Sequence, residues 1–508
     1  SLTDVAGTAS VTLTPTTAGT FTGALTATYD PDGVPASGDE VSLDFAANIA
    51  AVPGLAIESG DGQVVTTSLP FAAPLVVLAD DSGLPAVGVG ITHSTTEAFV
   101  GSSTAVDAAG DVSITAAAGN LNATGSRVRS TAGAGGVIGV SAAVSVLKDS
   151  STTRAYVGSN ASIERADALL VNAETDRRAS ATTIGAAAGG LAIGASVASA
   201  TFGGSTLAYF QPNVDVGKTA GKLVNDVTIS ASDGSVASAS ATAGAAGIVS
   251  GSGAVATAEV TSGVSAVMGS GAEVVAQDDV SVTAEATPET RAEAKGVSIG
   301  AGSVGASLAT ASTTSNVEAR IDGDASISGD RLDVVAQRLV GANPTTAAQA
   351  FGASGGVLFG INATLAKAES AGTTRSAIGD NATLTMGGAT TVHADSNTQQ
   401  VSSGVGISVG GLLAVGADYS QATSNTLTEA TVGNGVKLTG PALSVLADSS
   451  DTNFAHGIAG SGGLVSAPFS EAKTVSTSQT RASTGSGDNV GNPRCVGGSR
   501  HHDVFLGT

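Results

Sequence analysis

A short alternating segment that closes on alanine returns seven times along the chain. It reads DVSITA at 111–116, LLVNA at 169–173, DVTISA at 226–231, DVSVTA at 279–284, LDVVA at 332–336, TTVHA at 390–394 and LSVLA at 443–447. The closing alanines at 116, 173, 231, 284, 336, 394 and 447 are spaced by 57, 58, 53, 52, 58 and 53 residues. Such a period is the signature of stacked units that cannot bury a hydrophobic face alone. Within a copy, Val112, Ile114 and Ala116 point one way while Ser113 and Thr115 point the other, the period of a half-buried strand.

Composition agrees with thin stacked layers. Aromatic residues make up 3% of the 508, tryptophan is absent and 69 residues are glycine. The large rings that dominate ordinary cores are scarce, so burial has to come from many small side chains, as in a solenoid. Disorder is the competing reading of so much Gly and Ser. A hydrophobic fraction of 42% and a charged fraction of 13% speak against it. The net charge of −22 repels phosphate backbones and excludes nucleic acid as a partner. It could attract calcium, but neither a DxDxDG loop nor a GGxGxD array is present. The single Cys495 excludes an intrachain disulfide framework. The longest apolar stretches, such as GGLLAVGA at 410–417, are too short to span a bilayer. Beginning at Ser1 without a methionine, the sequence reads as a fragment or a processed product.

Residues 1–96 differ in pattern from the repeats. GTASVTLT with TAGTFT downstream, and PLVVLADDSGLPAVGVGIT at 74–92, alternate as strands around Gly- and Pro-containing turns. These residues resemble the bacterial immunoglobulin-like domains of surface adhesins. The resemblance implies an incomplete sandwich, because the late-strand motif comes before the early-strand one.

The repeats are expected over 97–480. Most open on an AxVG-like segment (AFVG at 98, AYVG at 155, ATVG at 430), with insertions or shifts in the third and fifth copies. The VxA strand follows, then a Gly/Ala-rich run with a Gly pair near its middle, as at Gly189-Gly190 and Gly410-Gly411. A unit of this size makes either one large coil or two smaller ones. One column tests the stacking: Glu97 and Arg154, then Glu318, Arg375, Glu429 and Arg481, precede the AxVG-like segments. Successive copies in register would let these alternating charges form an ion ladder; two coils per repeat would separate them.

AYVGSNASI, LLVNA and IGAAAGGLAIGASVASA, within 155–200, and the same succession in SAIGDNATL, TTVHA and VGISVGGLLAVGA, resemble the Gly/Ala-rich strand repeats of filamentous haemagglutinin-like and leukotoxin-type adhesins. The resemblance covers about three quarters of the chain. It implies a secreted or cell-surface rod whose partners are a host or neighbouring cell surface, glycans or further copies of itself.

Chemistry has few candidates. GxSxG occurs around Ser298, Ser354 and Ser408, and in a hydrolase that pattern is an exposed nucleophile elbow. Here the serines fall at equivalent stations of three repeats, which favours a turn. His393 and His456 are the histidines that could approach Ser408, with Asp395 or Asp448 as the acid. No histidine has zinc-ligand spacing. Tyr156 and Tyr209, at matching stations, could form a small sugar-stacking patch. Outward Thr and Ser on the VxA strands would suit a water-ordering array at ice, until Asp333 and Leu446 interrupt it. Paired acids such as Asp80-Asp81 and Asp278-Asp279 belong to turns. Residues 481–508 lose the repeat and read as an irregular tail.

The sequence therefore predicts an all-β, repetitive β-solenoid of about seven 52–58-residue repeats, preceded by partial immunoglobulin-like β-sandwich sequence. Its expected work is adhesive and structural, without cofactor; the alternative is a secreted hydrolase of esters or polysaccharides with a GxSxG serine as nucleophile.

Overall fold

The computed structural model describes residues 19–29, 41–49, 55–59, 76–79, 86–119, 125–487, 489–491 and 494–506, with side chains described over 86–119 and 125–487. Among these residues there is no helix, and the strands from Ala86–Thr92 onward join one 25-stranded sheet paired in parallel.

One repeat makes one coil. The closing alanines pair in an unbroken column: Ala116 with Ala173, then Ala231, Ala284, Ala336, Ala394 and Ala447. Each VxA strand leads into a long strand, such as Arg178–Phe210 or Val236–Met268, and the coil closes with a short strand such as Glu273–Val275 before the next VxA strand begins. Successive long strands pair with one another in near-continuous register, as Ala198 with Ala256 and Ala256 with Ala309.

The long strand folds back on itself at its glycine station. Ser141 donates to the Ala132 carbonyl at 3.0 Å and Ser130 to the Val144 carbonyl at 2.7 Å, so residues on either side of the Gly136-Val137 step face each other across the fold. A serine side chain that reaches the opposite backbone puts the two arms well inside the roughly 10 Å of ordinary stacked sheets. Only small inner residues permit this, and the interior here is alanine: Ala181, Ala198, Ala239, Ala256, Ala292 and Ala309 are all buried. We call this doubled extension the blade. At its tip Gly136, Gly189 and Gly247 stack, and a Cβ on Gly189 or Gly247 would run into the carbonyl oxygen of the glycine one coil back.

At the other end of the coil the last residues of the long strand, the short strand and the VxA strand enclose a different interior. Val171, Phe210, Val216, Ile229, Met268, Val282, Ile321 and Leu332 fill it, all at most 1% exposed. The corner after each AxVG-like segment is turned by a residue with φ near +60°: Ser103, Asn160, Asn213, Gly271, Asp324, Asn381, Gly435 and Gly487. Asn, Asp and Gly are the residues that reach the left-handed region most readily. This corner has the same length in every coil, so the insertions expected there lie elsewhere: 217–223 after one short strand, and four extra residues after the VxA strands that end at Ala116 and Ala336.

Parallel strands lie about 4.8 Å apart, so the column from Ala116 to Ala447 rises about 30 Å, whereas a blade arm of twelve residues runs about 40 Å outward. The described section is a slab, broader than it is tall.

Ala86–Thr92, part of the stretch resembling immunoglobulin-like sequence, pairs in parallel with the long strand Ser126–Val157, so coil pairing begins ahead of residue 97. Before it, Gly19–Tyr29 pairs antiparallel with Val41–Ile49, and Leu55–Ser59 with Val76–Ala79; GTASVTLT lies outside the described residues. Beyond 480, Gln479–Thr484, Asn489–Gly491 and Arg494–Leu506 pair in register with the preceding coil.

Candidate functional site

The three GxSxG serines form a column inside the blade. Ser298 pairs with Ser354 and Ser354 with Ser408; Ala245 precedes them and Ser461 follows. All three are on the inner face of the outgoing arm, at most 5% exposed, within an uninterrupted strand rather than a strand-to-helix elbow. A nucleophile buried between two sheets has no path for a substrate.

The histidines lie elsewhere. His393 sits on the outer side of its VxA strand with Nε2 3.2 Å from Asp448 Oδ2. Fifteen residues of the same strand, about 50 Å of extended chain, separate it from Ser408. His456 also points outward, its ring stacked 6.2 Å from that of Phe454. The structure thus brings His393 to Asp448 but brings neither histidine to a candidate serine. Burial raises the Asp395 carboxyl above its usual range, His393 lowers it and Asp448 adds to the rise. Among the described residues no group of three or more His, Cys, Asp or Glu could hold a metal ion.

The two tyrosines do meet. Phe99, Tyr156 and Tyr209 stack along the coil axis with centroids 5.1 Å apart and planes 9° from parallel. Rings that cover each other's faces leave their edges to solvent, so the stack is a staple between coils and not the open platform that a sugar needs. Beside it runs the charge column. Arg154 pairs with Glu97, Arg375 reaches Glu318 at 3.5 Å and Arg481 reaches Glu429 at 3.4 Å, each to the coil before it. These partly exposed pairs contribute about 0–1 kcal/mol apiece and act on register more than on stability.

Between blade and apolar interior lies a buried polar neck that sequence reasoning missed. Thr206 donates to Thr175 of its own coil at 2.7 Å, and Thr175 donates to Thr153 of the coil before at 2.9 Å. Arg177 meets Asp149 at 3.4 Å. Arg338 is fully buried, donates to the Ala371 carbonyl at 2.8 Å and to Ser370, and loss of solvent brings it down to about 10 although Asp451 opposes this. Farther out, the Asp418 carboxylate occupies the space that Gly404 and Gly457 leave by lacking a Cβ, and accepts from Thr364 at 2.6 Å. The signal was present as charged and hydroxyl residues at inward stations, but nothing in one sequence shows where the interior changes character.

Burial raises Asp233, Asp395 and Asp418 above the ordinary carboxylate range. Each holds a proton in the folded chain at a pH where the unfolded chain has released it. Their contribution is fully present below the unfolded value of about 3.9 and is lost as pH rises through the higher folded values. Stability should therefore increase as pH falls through the raised folded values toward the unfolded value of about 3.9, helped by the shrinking net charge of −22. Urea midpoints across that range test this. Asp233→Asn should raise the midpoint at pH 8 and flatten the profile, and a midpoint that falls steadily on acidification would contradict the assignment.

Compared with known proteins, the chain matches no family, no curated protein and no solved structure.

Proposed function

We propose that the chain is a structural and adhesive section of a large secreted bacterial surface protein, a stack of about seven coils that attaches through many weak contacts. The observation that carries this reading is the register. Every outward station is presented once per coil, about 4.8 Å apart, so a weak contact made by one coil is offered again by the next, and avidity replaces a single deep site. The cell surface, glycans and further copies of the chain are the partners this arrangement suits. The repeat succession that resembles filamentous adhesins supports it, and so does burial of all three GxSxG serines. A rod needs many more coils than these; this section contributes a stiff slab of it.

The test couples the purified chain to beads at graded density and measures retention on bacterial and epithelial cell layers, beside turnover of short-chain chromogenic esters. Retention should rise more steeply than linearly with density, and esters should stay intact. Ester turnover abolished by Ser298→Ala, Ser354→Ala or Ser408→Ala in a folded chain would replace this reading with the hydrolase.

A further inference from the structure

The returning arm of the blade has an outer face that the fold leaves bare. Across six coils its four stations nearest the tip, running from Ile138 to Val144 in the first and from Leu413 to Tyr419 in the last, hold no charged side chain. Tyr419 alone carries a polar side-chain atom, and its hydroxyl is spent on Gln421 at 3.0 Å. Exposure is high for such residues: Ile138 67%, Val304 47% and Leu308 39%.

The stations form relief. The third column reads Ala142, Ala195, Gly253, Ala306, Ala363 and Ala417, a floor of small residues running through six coils. On one side stands a ridge of Ile193, Val304 and Ile361, notched at Gly251; on the other stands one that includes Val197, Val255, Leu308 and Leu365. Ridge and groove lie side by side on one face, so a second identical face turned about a two-fold axis can seat its ridge in this groove while offering its own groove in return, an isologous fit. Six coils by eight residues give about 700 Å², close to the roughly 800 Å² per partner of a stable interface. It also exceeds the few hundred Å² of bare apolar patch usual on a monomer.

At matching depth the outgoing arm also presents large apolar residues, among them Val297, Ile299, Phe351, Ile407 and Val409, but Thr131, Thr242 and the charged Lys295 interrupt them, whereas the returning arm has no charge at these stations. The chain's −22 charge makes copies repel one another everywhere except on a face that has none.

We propose that this face of the blade is the contact surface for a second copy of the chain, the two sheets packing ridge into groove. The inference deepens the adhesive reading by naming one partner and its surface, and it stands apart experimentally: dimers can fail to form in a chain that still holds cells, and the reverse.

The experiment is sedimentation equilibrium of the full chain from about 1 to 100 µM, with Ala306→Glu/Ala363→Glu and the milder Ala363→Glu alone. Both alanines point outward, and far-UV circular dichroism checks the fold. The parent chain should pass from monomer to dimer, the double variant should weaken association by about 100-fold or more, and the single variant should fall between. Raising salt should tighten the parent dimer by screening the repulsion between copies. A parent chain that stays monomeric throughout overturns the proposal. So does association that both variants leave unchanged, which would move the contact to the open ends of the stack. Binding to phosphatidylcholine vesicles, lost in the variants, by a chain that never dimerises would assign the face to lipid instead.

Discussion

Ala256→Leu is expected to open the blade in its own coil and in the two beside it, at a cost of about 3 kcal/mol or more. Ala256 is fully buried, stacked between Ala198 and Ala309, and faces an opposite arm whose inner residues are also alanine. Leucine brings three more carbons into a layer already closer than normal sheet spacing. No rotamer helps, because the side chain points straight at the opposing backbone and the coils above and below hold both arms in register. A repeat protein opens locally, so hydrogen exchange is the right measurement. Amides of Val236–Met268 should lose about 100-fold in protection, while those of Leu332–Arg338, in the apolar interior of a later coil, should keep theirs. A leucine accepted with less than about a threefold change would mean that the arms can separate freely.

The apolar interior should respond to the opposite change. Ile229 is fully buried, pairs with Val171 and Val282, and belongs to the cluster that also holds Phe210 and Met268. Ile229→Ala removes three carbons from a site walled on three sides by backbone that is hydrogen-bonded to its neighbours, so the cavity cannot collapse. The expected loss is about 2–5 kcal/mol, read as a fall in urea midpoint and as faster exchange over Val224–Asp233 and Val280–Ala286. A loss below about 1 kcal/mol would show that the corner strands move together to refill the space. The two substitutions thus separate two interiors within one coil: one fails when enlarged, the other when emptied.

What could be read beforehand divides along the same line. The VxA strands were legible because apolar residues alternate inward with a constant alanine, and the pairing of Ala116 through Ala447 follows from that spacing. The charge column at Glu318, Arg375, Glu429 and Arg481 carried the register in its signs, and it distinguishes one coil per repeat from two. The blade was harder because its pattern is inverted. In VIGVSAAVSV, at 137–146, the bulky Val140 and Val144 face out while Gly139, Ser141 and Ala143 face in. Hydrophobic alternation marks a strand there but assigns its faces backwards, since contact between arms is limited by size and not by polarity. The inward position of Ser298, Ser354 and Ser408 was hidden for the same reason. The corner column from Ser103 to Gly487 escaped notice because its residue changes among Ser, Asn, Asp and Gly while its backbone angle does not.

The larger length differences between repeats fall at two corners, with single-residue changes at the blade tip, and this gives the stack a practical use. Residues 218–223 and 339–344 bulge at these corners, half-buried to exposed, and strand register resumes beyond each. A peptide epitope spliced into either corner should leave the pairing above and below intact, and one spliced into every coil would form a single file at molecular spacing. Such a file would let binding be measured as a function of epitope number alone.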